Sequence, residues 1–413
     1  MEKLLFISDE SPFSFNHSGA SSFKTSHLIL LNQLEDFDIY LLCLPSHSKL
    51  SKTEIDPEIT DSLPNKISII RADFSIKPTL SFYKIVRSLL ITKNSLMRAS
   101  LLFPSVNSQN LSVLQTIIDD LKPDVIWAEH LEPFLLISYL QNFQGKFVYS
   151  HHDFLWKLIL IRRQNLKDYL RSAFYKTIQK NLIRKSCKYV VGGATNELAE
   201  LKKINKSTHN LYLPTIYPIK SILFPHKSEL NKPLRIIHFG TSKATANRIG
   251  LKNLLLHIVP KLQNKIDFEL WIIGEIDNND LAMRALLNQP NIFYKGFVQD
   301  LSTVLHPLDL HILPYDQLTG SRTRYSVAMN FGQVLIAHQA SVQGVAGLIP
   351  GQNCLIENSF EAISKSIIWL YYHPDERIRL AKNSKIWYDE THQVSNNKAI
   401  LKRWLSKNNI IHV

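Results

Sequence analysis

Apolar positions along this chain fall in short, nearly unbroken blocks separated by longer amphipathic stretches. In the first half the blocks lie at residues 4–8, 38–44, 67–71, 124–128, 146–150, 188–192 and 209–213. In the second half they lie at 234–240 and 268–274, then at Tyr294-Lys295-Gly296-Phe297, and in a run ending Ile312-Leu313-Pro314. Such blocks predict strands buried on both faces, the signature of a parallel sheet rather than of an antiparallel one with a wet face. Between them the spacing changes. Phe23, Leu28, Leu31 and Leu34 recur near the helical period and predict a helix over 22–34. A closing helix is predicted over 397–407. Strands alternating with helices in both halves predict an α/β protein with two doubly wound, Rossmann-like domains.

Length agrees, because 413 residues suit two domains. The expected division is 1–215, a linker over 216–233, a second domain over 234–388 and a helical segment over 389–413. Pro214, Pro218, Pro225 and Pro233 punctuate the linker.

Composition removes several classes. With 45% hydrophobic residues and mean hydropathy −0.08, the chain can fill its cores and is not a disordered one. Cys43, Cys187 and Cys354 are scattered, with no CxxC pair, and are expected to be buried small apolar residues rather than metal ligands. The apolar run after Met1 is short and ends at Asp9-Glu10, so it reads as a first strand and not a signal peptide. No stretch approaches the roughly 20 apolar residues that span a bilayer.

Net charge is +13, which favours anionic partners. No nucleic-acid module is present, and contact with an anionic membrane surface is the better expectation. The densest basic run, 157–188, does not place its charges on one helical face and reads as solvated helix surface. Residues 81–103 interleave Lys84, Arg87, Lys93 and Arg98 with apolar side chains, a pattern open to membrane or acceptor contact and to ordinary packing alike.

Candidate chemistry gathers at strand ends. Gly320-Ser321-Arg322-Thr323-Arg324 opens a helix, bringing free backbone N–H groups and two guanidinium groups together, which suits a phosphate. His151-His152-Asp153 follows the strand ending at Ser150, and Glu129-His130, with Glu132 after it, follows the preceding one. Histidine titrates near neutrality and can act as base or hydrogen-bond donor. Asp36-Phe37-Asp38 matches a metal-binding Asp-x-Asp string, but it precedes a strand and reads as a turn. There is no GxGxxG loop, Walker A loop or GxSxG elbow, which argues against a dehydrogenase, a kinase or a hydrolase.

The order Gly240, Gly274, Gly296-Phe297, Pro314, Thr319-Gly320-Ser321-Arg322-Thr323-Arg324, Ala328-Met329, Gly332-Gln333-Val334-Leu335 and Asn353-Cys354-Leu355 resembles the nucleotide-sugar half of GT-B-fold glycosyltransferases, closest to glycosyltransferase family 4 (glycosyl transferases group 1). The resemblance implies two Rossmann-like domains facing each other across a cleft, with the final helix crossing back to the N-terminal one. It implies donor contacts from Arg322 and Arg324, from Lys243 and Arg248 in the loop after Gly240, from Thr319, Gly320 and Ser321, from Gly296, Phe297 and Glu275 on the nucleoside side, and from Gly19 in the loop Ser18-Gly19-Ala20-Ser21. His151, His152 and Asp153 occupy a strand end typical of the family's cleft.

One departure stands out: the two glutamates usual in the family fall at Thr319 and Val327 here, leaving Asp316 as the nearest carboxylate to replace the first. The activity implied is transfer of a sugar from a nucleotide diphosphate donor to a hydroxyl of a glycan or lipid-linked glycan. It needs no metal and no cofactor beyond that co-substrate, and serves assembly of a bacterial surface polysaccharide or glycoconjugate. The expected partners are the nucleotide sugar, the glycan acceptor and an anionic membrane, with no nucleic acid. The expected location is the cytoplasm, at the inner face of the cytoplasmic membrane. A non-catalytic protein that kept the fold, or a sugar-nucleotide epimerase of the same architecture, are the alternatives.

Overall fold

The computed structural model describes residues 1–13, 19–44, 59, 62–76, 94–140, 143–162, 165–225, 233–242, 245–277, 280–317 and 323–411. The chain divides into two units. The first comprises Met1–Leu160, Asn165–Thr215 and Val394–Val413, and the second comprises Ile161–Gln164 and Ile216–Gln393.

The first unit is built on seven parallel strands: β1 (Glu2–Ser8), β2 (Phe37–Cys43), β3 (Ile67–Ile70), β4 (Val125–Glu129), β5 (Lys146–His151), β6 (Tyr189–Gly192) and β7 (His209–Tyr212), in the order β3-β2-β1-β4-β5-β6-β7. Leu4 to Ile7 and Val125 to Ala128 are fully buried, as expected for central strands covered on both faces. Register is set by pairs such as Leu4 with Ile39 on one side and Leu4 with Val125 on the other. Asparagines start several covering helices. Asn107 and Asn165 accept from the backbone N–H three residues on, satisfying a donor the first turn leaves free. The last helix, Val394–Lys407, belongs to this unit. Its Lys402 pairs with Asp36 at 2.9 Å, and Trp404 packs edge-on to Tyr189.

The second unit carries six parallel strands: β8 (Leu234–Phe239), β9 (Phe268–Ile273), β10 (Ile292–Gly296), β11 (Leu310–Leu313), β12 (Val334–His338) and β13 (Leu355–Glu357), ordered β10-β9-β8-β11-β12-β13. Its main core joins Ile236, Leu270, Leu310 and Ile336 to helix residues Leu254, Ile258, Ile367 and Leu370. In each sheet the chain turns back across its first strand, leaving a switch point between β1 and β4 and another between β8 and β11, where the carboxyl ends of adjacent strands diverge.

Two expectations need correction. Over its described part, the segment taken as a linker is docked on the second unit. Tyr217 exchanges hydrogen bonds with the Tyr388 hydroxyl at 3.0 and 3.1 Å, and Asn330 holds both Lys220 N–H and Pro218 C=O. Prolines that break regular structure leave backbone groups unpaired, and side chains of the second unit take them up. Cys43 is exposed rather than buried, because it falls on an outward position at the end of β2, whereas Cys187 and Cys354 are buried.

Candidate active site

At the switch point of the first unit, polar side chains converge that sequence spacing alone does not gather. Glu129, the last residue of β4, is fully buried and ionised among four donors. His27 Nδ1 lies 3.0 Å from Oε2, Trp127 Nε1 2.7 Å from Oε2, Ser150 Oγ 2.7 Å from Oε1 and His152 Nε2 2.7 Å from Oε1. Burial acts to raise the Glu129 carboxyl, but His27 beside it and the hydrogen bonds from His152 and His27 hold it well below the usual carboxylate range. Donating Nε2–H to a carboxylate fixes the tautomer of His152 and leaves Nδ1 with its lone pair. Burial pushes that imidazole down to about 3, so it is neutral at physiological pH.

His130 stands 4.8 Å from His152, ring centre to ring centre, in the opposite state. Burial acts to lower it, but Asp9, hydrogen-bonded to its Nδ1, raises it above its ordinary value. Asp9 is the first residue after β1 and is itself held low by His130 and by buried Lys24, which also pairs with Glu10 at 3.0 Å. His130 sits at φ 84°, a left-handed conformation rare for a side chain with a Cβ, just before the helix Leu131–Ile137. Such strain persists where the surroundings dictate it and is concentrated at functional sites. The result is two imidazoles side by side whose pKa values are pushed in opposite directions, His130 up by Asp9 and His152 down by burial, the divergence that acid/base chemistry uses.

His151 does not join them. It faces the other side of β5, buried, with Nδ1 3.0 Å from the Tyr149 hydroxyl and Nε2 3.0 Å from Glu197. Adjacent residues at a strand end point to opposite faces, so only one histidine of the pair can reach the Glu129 cluster. Asp153 is half-buried close enough to raise His130 electrostatically. Gly19 begins the helix Gly19–Asn32, which supplies Lys24 and His27. Glu132 is partly buried and accepts from the Ser105 hydroxyl.

In the second unit the corresponding point is occupied by Arg324, the first residue of the helix Arg324–Asn330. Its guanidinium lies over Gly240, just past β8, where an added Cβ would come within 2.5 Å of Nη2; φ there is +136°. Arg324 donates to the Tyr315 hydroxyl and its Cζ is 5.3 Å from that ring's centre. Tyr315 in turn fills the space above Gly250, where a Cβ would meet ring carbon at 2.2 Å. Two glycines thus frame a tyrosine–arginine pair at the carboxyl end of the sheet. Gly274 completes the floor. Its own Cβ would meet the Gly240 carbonyl oxygen at 2.6 Å, and its N–H donates to Gly296 C=O at 2.7 Å.

Arg248 is half-buried on the helix Thr245–Asn253, which ends at Asn253. Asn253 donates to Asp316 at 3.2 Å, so the carboxylate considered as a substitute is exposed and tied to that helix. Glu275 is exposed, with its carbonyl accepting from Ser242 N–H at 2.7 Å; Gly296 has φ +67° at the end of β10, and Phe297 is 54% exposed. Lys243, Thr319, Gly320, Ser321 and Arg322 lie outside the described residues, as does most of the 81–103 segment; the part seen is the helix Ser95–Leu102. Val327 is buried against Ile237, Ile273, Leu305 and Phe331, an apolar setting that explains why no glutamate stands there.

Among the described residues no group of three or more His, Cys, Asp or Glu is arranged to hold a metal, and no helix is long and apolar enough to cross a membrane. Asp9, Lys24, His27, Trp127, Ser150 and Tyr315 were not singled out from the sequence. Asp9 and Ser150 had a usable signal, lying at or just past strand ends. The lysine and His27 sit on a predicted helix with nothing to mark which face meets the sheet's edge.

Residues 233–373 match the model of the family described as glycosyl transferases group 1. No curated protein matches the sequence. Several solved structures share the fold. Anabaena HepE in complex with UDP and glucose superposes with a TM-score of 0.65 at 12% identity, covering 98% of this chain and 100% of that one. Sucrose-phosphate synthase from Thermosynechococcus elongatus gives 0.70 at 12%, covering 98% and 99%. A Staphylococcus aureus TarM mutant in complex with fondaparinux, α-GlcNAc-glycerol and UDP gives 0.66 at 13%, covering 98% and 99%. At such identities the likeness speaks for the fold alone.

Proposed function

We propose that this chain, which has the GT-B fold and whose second unit matches the group 1 model over residues 233–373, is a glycosyltransferase that moves a sugar from a nucleoside diphosphate donor to a hydroxyl of a glycan or lipid-linked glycan. The observation that carries the reading is Arg324 held over Gly240 at the end of β8. A guanidinium there meets the charge that grows on the leaving diphosphate, and it is placed in advance by Tyr315 rather than recruited during reaction. In this reading arginine, joined by Arg322, Lys243 and Arg248, does the neutralising, and the transfer needs no metal. Glu275 and the Gly296-Phe297 turn serve the nucleoside in this reading, and Thr319, Gly320, Ser321 and Gly19 keep the donor-binding role that the resemblance implies.

The histidine pair of the first unit supplies the proton chemistry. In this reading His130, its pKa raised by Asp9, is the proton donor to a sugar or acceptor oxygen, and His152, neutral and with the Nδ1 lone pair left over, accepts. Asp9 and Glu129 position them. Asp153 tunes His130, and Asp316 stands by the donor sugar. His151, bonded to Glu197 and Tyr149, has a supporting place beneath the site. HepE and TarM were crystallised with UDP, and a further neighbour, WaaG, is a glycosyltransferase involved in lipopolysaccharide biosynthesis. These support a nucleotide donor; we further propose a role in surface polysaccharide or glycoconjugate assembly, at the inner face of a bacterial membrane.

The test is a thermal-shift panel of nucleoside diphosphates and nucleotide sugars, with and without divalent metal, on wild type and Arg324→Ala. A ligand that binds only the folded state raises its melting point. A shift with one base that needs no metal and is lost in the variant supports the reading. A shift retained in Arg324→Ala places the phosphate elsewhere.

A further inference from the structure

Histidines gather at the carboxyl ends of both sheets, but in different company. In the first unit His27 and His152 face Glu129, His130 faces Asp9 and His151 faces Glu197. In the second, His238 and His311 are buried near Arg324, and among the described residues no carboxylate is bonded to either ring or to the guanidinium. Strands β8 and β11 pair at Ile236–Leu310 and Ile237–His311, and His238 is the next residue of β8, where the two strands part. Alternation sets it on the face of Ile236, while His311 lies on the opposite face with Leu313. The His238 ring is 6.0 Å from that of Tyr315, centre to centre, and the Tyr315 hydroxyl is the acceptor that holds Arg324.

Both rings are kept uncharged at neutral pH. Burial chiefly, then Arg324, pushes His238 down to about 3. Burial outweighs the Gln333 bond at His311 and, with Arg324 nearby, pushes that ring down to about 4. Gln333 donates Nε2–H to Asp309 at 3.3 Å and turns Oε1 to His311 Nδ1 at 3.0 Å, so the neutral ring carries its proton on Nδ1. Asp309 is thus held one amide away from the histidine.

We propose that His238 and His311 are positioning residues of the donor site, an uncharged floor that holds Tyr315 and Arg324 in place without giving the guanidinium a counter-ion. The inference rests on the reading of Arg324 as the partner of the diphosphate. A carboxylate in the same place would take up the arginine's forked donors, and an incoming diphosphate would have to displace it. A neutral imidazole fills the space beside the phenol ring and leaves the charge uncompensated. The attraction of half-buried Arg324 then remains for a multiply charged anion, and it is stronger there than in bulk water.

Inorganic pyrophosphate, titrated calorimetrically into the full chain at neutral pH, is the probe. His238→Asn and His238→Asp differ by a charge and hardly in size. Asn is expected to weaken pyrophosphate binding about threefold, through the lost ring beside Tyr315. Asp is expected to weaken it at least about tenfold more, because its carboxylate pairs with Arg324. A second measurement needs no ligand. Histidines depressed in the folded state lose stabilisation as pH falls from their ordinary 6.5 toward the folded values, so the loss is smaller once the Arg324 charge is removed. The urea midpoint of Arg324→Gln is therefore expected to fall less than that of wild type between pH 6.5 and 4. Equal binding by the Asp and Asn variants, or equal slopes with pH, overturns the proposal and leaves the donor reading standing. Wild type without affinity for pyrophosphate overturns the donor reading, and the proposal with it.

Discussion

His152 Nε2 lies 2.7 Å from Glu129 Oε1, and that one contact decides which nitrogen of the imidazole carries a proton. Glu129 receives three further donors, from His27, Trp127 and Ser150. Replacing it with glutamine turns an amide N–H₂ toward groups that themselves donate. Glu129→Gln is expected to cost about 3 kcal/mol of stability, since buried donors lose their acceptor. Turnover is expected to fall roughly 10²-fold through the freed His152, with donor KM little changed. Urea denaturation and steady-state kinetics check the two parts separately.

Asp9 and His130 give a pH signature. The folded pKa of His130 is raised, so its pairing stabilises fully below its ordinary 6.5 and is lost as pH rises through the raised value. Asp9 is lowered, so its share is present above its ordinary 3.8 and is lost as pH falls through the depressed value. The stability difference between wild type and Asp9→Asn is therefore expected to be greatest between 3.8 and 6.5 and to shrink at alkaline pH. Proton NMR should follow the His130 ring titration downward in the variant; an unmoved titration refutes the pairing.

Buried neutral histidines work in the other direction. Burial, chiefly, depresses His152, His238 and His392 to about 3 and His311 to about 4. Their stabilisation is present above the ordinary 6.5 and is lost as pH falls toward those values. The melting temperature is expected to drop steadily from pH 6.5 to 4, less so in His311→Gln, which calorimetry across pH would read.

Gly240 and Arg324 cannot be varied independently. A methyl at Gly240 meets the guanidinium and requires φ +136°, so Gly240→Ala is expected to displace Arg324 and strain the backbone by about 1–2 kcal/mol. Donor affinity should fall in Gly240→Ala about as far as in Arg324→Ala, and the double variant should add little. Additive losses in a binding cycle would show the two act apart.

Val327 stands where the family usually has a glutamate, and restoring the acid should harm the protein. In the cluster of Ile237, Ile273, Leu305 and Phe331 a carboxylate has no donor among the cluster's side chains, so Val327→Glu is expected to cost about 3 kcal/mol or more. A urea midpoint equal to wild type would mean the position reaches solvent or ligand.

The runs at 4–8, 124–128, 234–240 and 268–274 determined strands, direction of burial and fold class by themselves, because a strand covered on both faces must be apolar almost throughout. Gly240, Gly274 and Arg324 could be named for the same reason: strand-to-loop turns and helix starts are local, and local geometry restricts residue type. Only the tertiary structure decided that His152 and not His151 meets Glu129, that Asp9 and Lys24 join His130, and that Tyr315 holds Arg324. These contacts unite strand ends and a helix far apart in the chain, and a sequence read by period carries no information on which polar side chains share the gap where a sheet changes direction.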